Sequence, residues 1–310
     1  LRRNLFLAGF CLSACGAPIV QAPALGSDAG RSGVVEPPPS RFTGPVPEVL
    51  GGNRPTNVIF PEGYDRSEPW PLIIVLHGYS AGGIWQDRYL GVSARGSQFG
   101  YITLAPNGTR NGQGNRFWNA TEACCDFGDS RVDDLGYLTG LIDEAIEKLN
   151  VDPMRVYLVG HSNGGFMANR VACDAASKVT AVMNIAGSSF MDSERCRADE
   201  SVGYLHVHGD LDTVIAYGGG RLATGASYPG AEEIVRRWRL RNTCAANASE
   251  RRLDFDDGVL GDETTASTWS GCDGGMDVQL WSLRGSSHIP GFNGAFQDEL
   301  AAQLLSYMRR

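Results

Sequence analysis

No long hydrophobic run, internal repeat or block of like charge interrupts the 310 residues. Each absence narrows the field. The apolar stretch Leu5 to Leu12 is too short for a membrane-spanning helix. No Lys/Arg run offsets the net charge of −8, which argues against a nucleic-acid partner. Histidines number only five and no C-x-x-C pair occurs, so neither a zinc site nor any other metal is expected. What the chain does have is 42% hydrophobic residues, an ordinary share for a globular domain.

The N-terminus reads as a targeting segment rather than part of a fold. Arg2-Arg3 precede the short apolar run, which meets small residues at Leu12-Ser13-Ala14-Cys15. That end resembles a bacterial lipobox, whose cysteine becomes lipid-modified. Residues 1–15 are therefore expected to be a lipoprotein-type signal ending at Cys15. Residues 16–47, with Pro37-Pro38-Pro39, form a Pro/Gly-rich tether, and 48–310 form one folded domain. Setting Cys11 and Cys15 aside leaves six cysteines, an even number that predicts three disulfides in an exported chain. Cys244–Cys272 is the single pairing we select, because it brackets one acidic excursion.

Apolar runs of strand length alternate with helical segments. Strands are expected at Leu72–Leu76, Tyr101–Ala105, Val156–Val159, Val179–Ile185, Val202–Val207 and Val278–Leu283. Helices are expected at Ile84–Phe99, from Asp133-Asp134 to Leu149, at Phe166–Ala176, at Ala231–Arg241 and at Gly294–Met308. Continuously apolar strands between helices imply a mostly parallel central sheet with helices on both faces, an α/β architecture.

Val156-Tyr157-Leu158-Val159 runs into Gly160-His161-Ser162-Asn163-Gly164-Gly165 and then a helix. Strand, sharp turn and helix with a serine at the apex make a nucleophile elbow, whose crowded turn requires glycines. An activated serine needs a base and a carboxylate to orient it. In the α/β-hydrolase order both follow the serine. His206 and His208 alternate within a strand and read as structural; His288, in the loop after the last strand, is the candidate base. In Gly209-Asp210-Leu211-Asp212, Asp212 lies farther from the strand and is the candidate acid, while Asp210 caps or bridges the turn. The oxyanion hole is expected from the N–H groups of Asn163 and Tyr79, with Gly78 admitting the close approach and His77 shaping the turn. Asp133-Asp134 reads as a helix cap, and the acidic stretch Asp254 to Glu263 as a solvated loop. Phe117-Trp118 either lines a cleft or packs into the core, and Trp118 is a candidate substrate contact.

These residues together resemble the secreted esterases that group polyhydroxybutyrate depolymerases with feruloyl and acetylxylan esterases. The resemblance runs from Asn57-Val58-Ile59-Phe60-Pro61-Glu62-Gly63-Tyr64-Asp65 to the C-terminus. It covers Leu76-His77-Gly78, Val132-Asp133-Asp134, Asp152-Pro153, the elbow, His208-Gly209, Asp212, Tyr217-Gly218-Gly219 and Cys272. It implies the α/β-hydrolase fold and a Ser–Asp–His esterase and places the acid at Asp212; Tyr217 is a second candidate substrate contact. Family members often carry His-x-Trp-Pro-Gly at the base; here His288-Ile289-Pro290-Gly291 is one residue shorter and lacks the ring. No polymer-binding module follows the last expected helix, which favours smaller or soluble esters.

The resulting expectation is a monomeric, extracytoplasmic serine carboxylic ester hydrolase, of feruloyl esterase or polyhydroxybutyrate depolymerase type, working through an acyl-enzyme without a cofactor. Its partner is a small-molecule or polymer-derived ester, and it meets a membrane only through the lipid anchor. The alternatives are an acetylxylan esterase, a serine peptidase on the same fold, and a non-catalytic surface-binding lipoprotein.

Overall fold

A computed structural model describes Phe42 and residues 44–308. The signal segment, Cys15 and most of the 16–47 tether lie outside the described residues. In chain order the strands are β1 (Val49–Leu50), β2 (Thr56–Ile59), β3 (Trp70–Leu76), β4 (Ile102–Leu104), β5 (Thr109–Arg110), β6 (Arg116–Phe117) and β7 (Val151–His161). After them come β8 (Ala181–Ile185), β9 (Gly203–Gly209), β10 (Gly219–Arg221), β11 (Ser227–Pro229), β12 (Ser249–Leu253), β13 (Thr264–Trp269) and β14 (Val278–Leu283). The helices are α1 (Gly83–Leu90), α2 (Gly96–Phe99), α3 (Asp134–Leu149), α4 (Asn163–Asp174), α5 (Ala231–Arg241) and α6 (Gly294–Ser306).

Ten strands form one sheet in the order β1-β2-β4-β3-β7-β8-β9-β14-β13-β12. The central run from β4 to β14 is parallel, and both edges are antiparallel. Side chains alternate across each strand, so β3 sends Leu72, Ile74 and Leu76 to one face and Ile73 and Val75 to the other. The first face packs on α3, α4 and α5 through residues such as Leu138, Phe166 and Trp238; the second packs on α6 through Phe296, Leu300 and Leu304. Burial on both faces explains why the central strands are apolar throughout.

Two expectations need correction. The single helix over Ile84–Phe99 is broken into α1, a 3-10 turn at Ser93–Arg95, and α2. The break falls at Gly91, which has φ of +67° and where a Cβ would lie 2.3 Å from Gln297 Cδ. Between Cys244 and Cys272, β12 and β13 extend the sheet as a hairpin to which the sequence pattern gives no strand. The acidic stretch is not uniformly solvated, since Asp256 and Glu263 are buried. Asp133 does cap α3, its carboxylate accepting from the Gly136 N–H at 2.8 Å. Disulfides join Cys244 to Cys272, Cys173 to Cys196, and Cys124 to its neighbour Cys125.

Candidate active site

The elbow serine has φ of 55° and ψ of −120°, outside the ordinary regions for an L-residue. It is held there by its own N–H, which donates to the Ile185 carbonyl at 2.8 Å. The flanking glycines are a steric necessity. A Cβ at Gly160 would lie 2.0 Å from the Gly164 oxygen, and one at Gly164 would lie 2.1 Å from the Leu76 oxygen.

The parallel strands β7, β9 and β14 run the same way in the centre of the sheet, with only β8 between β7 and β9, so the loops after them converge. Ser162 Oγ–H donates to His288 Nε2 at 3.0 Å, and His288 Nδ1–H donates to Asp212 Oδ2 at 2.7 Å. Asp212 is buried, and its other oxygen accepts from the Val214 and Ile215 N–H groups at 2.8 and 2.9 Å. Burial alone would raise its pKa. Hydrogen bonds from His208 and His288, the positive field of His288 and the Ile215 N–H outweigh that and hold the carboxyl well below the usual range.

His208, a structural strand residue on the sequence pattern, also places a second imidazole against Asp212. Its Nε2 lies 2.8 Å from the Ile215 carbonyl and 3.2 Å from Asp212 Oδ2. Two acceptors there require the proton on Nε2, leaving Nδ1 to accept from His206 Nε2–H at 3.0 Å. His206 is pushed well below its ordinary pKa by burial, so the pair is neutral at that end. The alternation His206-Val207-His208 immediately before Gly209 was the available signal.

The histidine loop is braced from three sides. Asp256 Oδ2 accepts from the Ser286 hydroxyl at 2.6 Å, and its Oδ1 accepts from the Gly291 N–H at 2.8 Å. Asp210, expected to cap or bridge, accepts from the Gly285 N–H at 2.6 Å and so ties the acid loop to the base loop. His161 Nε2–H donates to the His288 carbonyl at 2.8 Å, and burial pushes its pKa down to about 4.

On the other side of Ser162, the loop after β3 comes close enough that a Cβ at Gly78 would lie 3.3 Å from the serine Cβ. His77 fixes its shape. The Gly108 N–H donates to His77 Nε2 at 2.9 Å and His77 Nδ1–H donates to the Gly78 carbonyl at 2.8 Å. Burial lowers the pKa of His77 to about 4, so the ring is neutral. Among the described residues no backbone carbonyl takes the Tyr79 or Asn163 N–H.

Trp118 does not line the cleft; it is fully buried. Its indole N–H donates to the His77 carbonyl at 3.1 Å, and its backbone pairs with the Asn163 side-chain amide at 2.7 and 2.9 Å. It therefore fastens the loop after β3 to the elbow. Tyr217 is half-buried beside a groove with Gly218, Gly230 and Arg236, its hydroxyl 2.7 Å from Ser282 Oγ and its ring 5.6 Å from His208. Among the described residues no group of three or more His, Cys, Asp or Glu is arranged to hold a metal ion.

A mostly parallel sheet covered on both faces, with an elbow serine, an acid loop and a histidine loop at the strand ends, defines the α/β-hydrolase fold. No protein-family model matches the chain. It is similar to feruloyl esterase B of Piromyces equi, at 24% identity over 76% of this chain and 42% of that protein. It is also similar to feruloyl esterase D of Neurospora crassa, at 25% identity over 86% of this chain and 85% of that protein. Among solved structures, the acetyl xylan esterase from Aspergillus awamori superposes with a TM-score of 0.58 at 14% identity, over 81% of this chain and 94% of that one. The named relatives are carboxylic ester hydrolases, though the chain spans less than half of the Piromyces protein.

Proposed function

We propose that this domain is a serine carboxylic ester hydrolase acting through Ser162, His288 and Asp212. The observation that carries the reading is the unbroken hydrogen-bonded series from Ser162 Oγ through His288 to Asp212. Ser162 Oγ attacks the ester carbonyl carbon while His288 Nε2 takes its proton. Asp212 keeps the histidine proton on Nδ1 and stabilises the imidazolium that forms. The Tyr79 and Asn163 N–H groups receive the negative charge on the carbonyl oxygen. His288 then gives its proton to the leaving alcohol, and the acyl group stays on Ser162. Water, deprotonated by His288, attacks that acyl-enzyme and releases the acid.

Feruloyl and acetyl esters of plant polysaccharide fragments are the substrates we favour, on the names of the similar proteins. Three disulfides support an oxidising, extracytoplasmic setting. Anchoring through a lipid on Cys15 remains part of the proposal. Purified wild-type protein is expected to cleave p-nitrophenyl butyrate, and Ser162→Ala to lose about 10⁴-fold or more in kcat. A Ser162→Ala protein that turned over at the wild-type rate would sink the reading.

A further inference from the structure

The loop that carries Tyr79 continues into a cavity of about 560 Å³ lined by Ser80, Ala81, Gly82, Trp85 and Arg116. Two of these residues are costly to leave as they are. Trp85 is 54% exposed, held flat by stacking on Tyr89 at 5.6 Å with 15° between the rings. Tyr89 in turn donates its hydroxyl to the Pro290 carbonyl at 2.8 Å, so this aromatic face is fixed to the His288 loop. Arg116 is half-buried, and among the described residues its guanidinium has no ion pair or side-chain hydrogen bond. Arg54 pairs with Asp134 and Arg237 with Glu233, whereas Arg116 meets no carboxylate among the described residues. Arg116 is thus a cation at the edge of the cavity with no protein anion against it.

The surroundings place that charge against the loop after β3. The Ser80 N–H donates to the Arg116 carbonyl at 2.8 Å, and a Cβ on Gly82 would lie 3.6 Å from Arg116 Nη1. The guanidinium thus lies along the same loop whose Gly78 touches Ser162. Arg116 also stands directly opposite Arg110 across the β5–β6 hairpin, a like-charge pairing that disfavours the hairpin by itself. An anion in the cavity would relieve both the unpaired cation and that repulsion.

We propose that this cavity is a substrate subsite that takes a carboxylate on the ester, with Arg116 binding the anion and Trp85 supporting the flat face beside it. Resting on the esterase reading, this narrows the substrate class to esters that carry a second, free carboxylate, which among feruloyl and acetyl esters must lie on the alcohol. An arginine fork matches a carboxylate with two parallel N–H···O bonds, which a lysine does not reproduce.

The test uses matched pairs in which a free carboxylate is compared with its methyl ester, one pair for each side of the scissile ester. On the acyl side, mono-p-nitrophenyl glutarate is compared with its methyl ester; on the alcohol side, 4-acetoxybenzoate is compared with methyl 4-acetoxybenzoate. For the side that faces Arg116, wild-type protein is expected to prefer the anionic form by about tenfold in kcat/KM at low salt, less as salt rises. Arg116→Gln should abolish that preference and Arg116→Glu should reverse it, with Arg116→Lys retaining part. Equal anionic-to-neutral ratios in wild type, Arg116→Gln and Arg116→Glu on both sides would overturn the subsite. If the wild type cleaves none of the four esters, the esterase reading itself fails; if it cleaves them without a charge preference, only the subsite does.

Discussion

Replacing Asp212 by asparagine changes one atom, and the consequences follow from who faces it. The Oδ1 position accepts from two backbone N–H groups, at 2.8 and 2.9 Å, so the amide oxygen of an asparagine must take that place. Its NH₂ then occupies the Oδ2 position, facing His288 Nδ1 at 2.7 Å and His208 Nε2 at 3.2 Å, both of which donate in the native protein. Donor against donor is repulsive. His288 escapes by moving its proton to Nε2, and in that tautomer it cannot accept from Ser162. The negative charge that would stabilise the imidazolium is also gone. Together these should lower kcat by about 10⁴, or about 5 kcal/mol of transition-state stabilisation. Stopped-assay hydrolysis of p-nitrophenyl butyrate measures it, with circular dichroism confirming an intact fold. An Asp212→Asn protein that folds and works within tenfold of wild type would refute the tautomer argument.

Two further outcomes are expected. His208→Leu removes a charge-assisted hydrogen bond from Asp212 and should cost about 10–100-fold in kcat/KM, while His208→Gln, which keeps an N–H donor, should recover part of it; equal activity in both variants would mean His208 does not position the acid. His77 and His161 are buried neutral with pKa values pushed down to about 4, so the unfolded chain takes up their protons first as pH falls. Their contribution is whole above the ordinary histidine value near 6.5 and is lost progressively down to about 4, roughly 3 kcal/mol each at the limit. Asp212, with a depressed pKa, loses its contribution only at lower pH. Urea midpoints should therefore fall clearly between pH 7.5 and 4.5; an unchanged midpoint would contradict the burial of neutral rings.

Where burial is symmetric the sequence was easy to read. The parallel strands are apolar throughout because both faces are covered, and Val278–Leu283 and Ala231–Arg241 coincide with β14 and α5. Ser249–Leu253 escaped notice because it is an edge strand of mostly exposed polar residues, with no alternation to detect. The two short hairpins, β5–β6 and β10–β11, pair only two or three residues a side, too few for any periodicity. Ser162, Asp212 and His288 were identifiable from order along the chain and from their loops, and they do meet. The residues that hold them were not. Asp256 reads as one of several loop carboxylates until the fold brings it to Ser286 and Gly291, and Trp118 lies in an aperiodic loop that says nothing of burial. Positions depend on local pattern, whereas support depends on contacts distant in sequence.

The most direct test of the account is covalent labelling of Ser162. Incubation with a fluorophosphonate should transfer one phosphonyl group per chain, with loss of fluoride and parallel loss of ester hydrolysis. Peptide mapping by mass spectrometry should place the adduct on Ser162, and Ser162→Ala should remain unlabelled. Ester turnover in a protein that takes no label at Ser162, or that is inactivated by a label elsewhere, would contradict the assignment of the elbow serine as nucleophile.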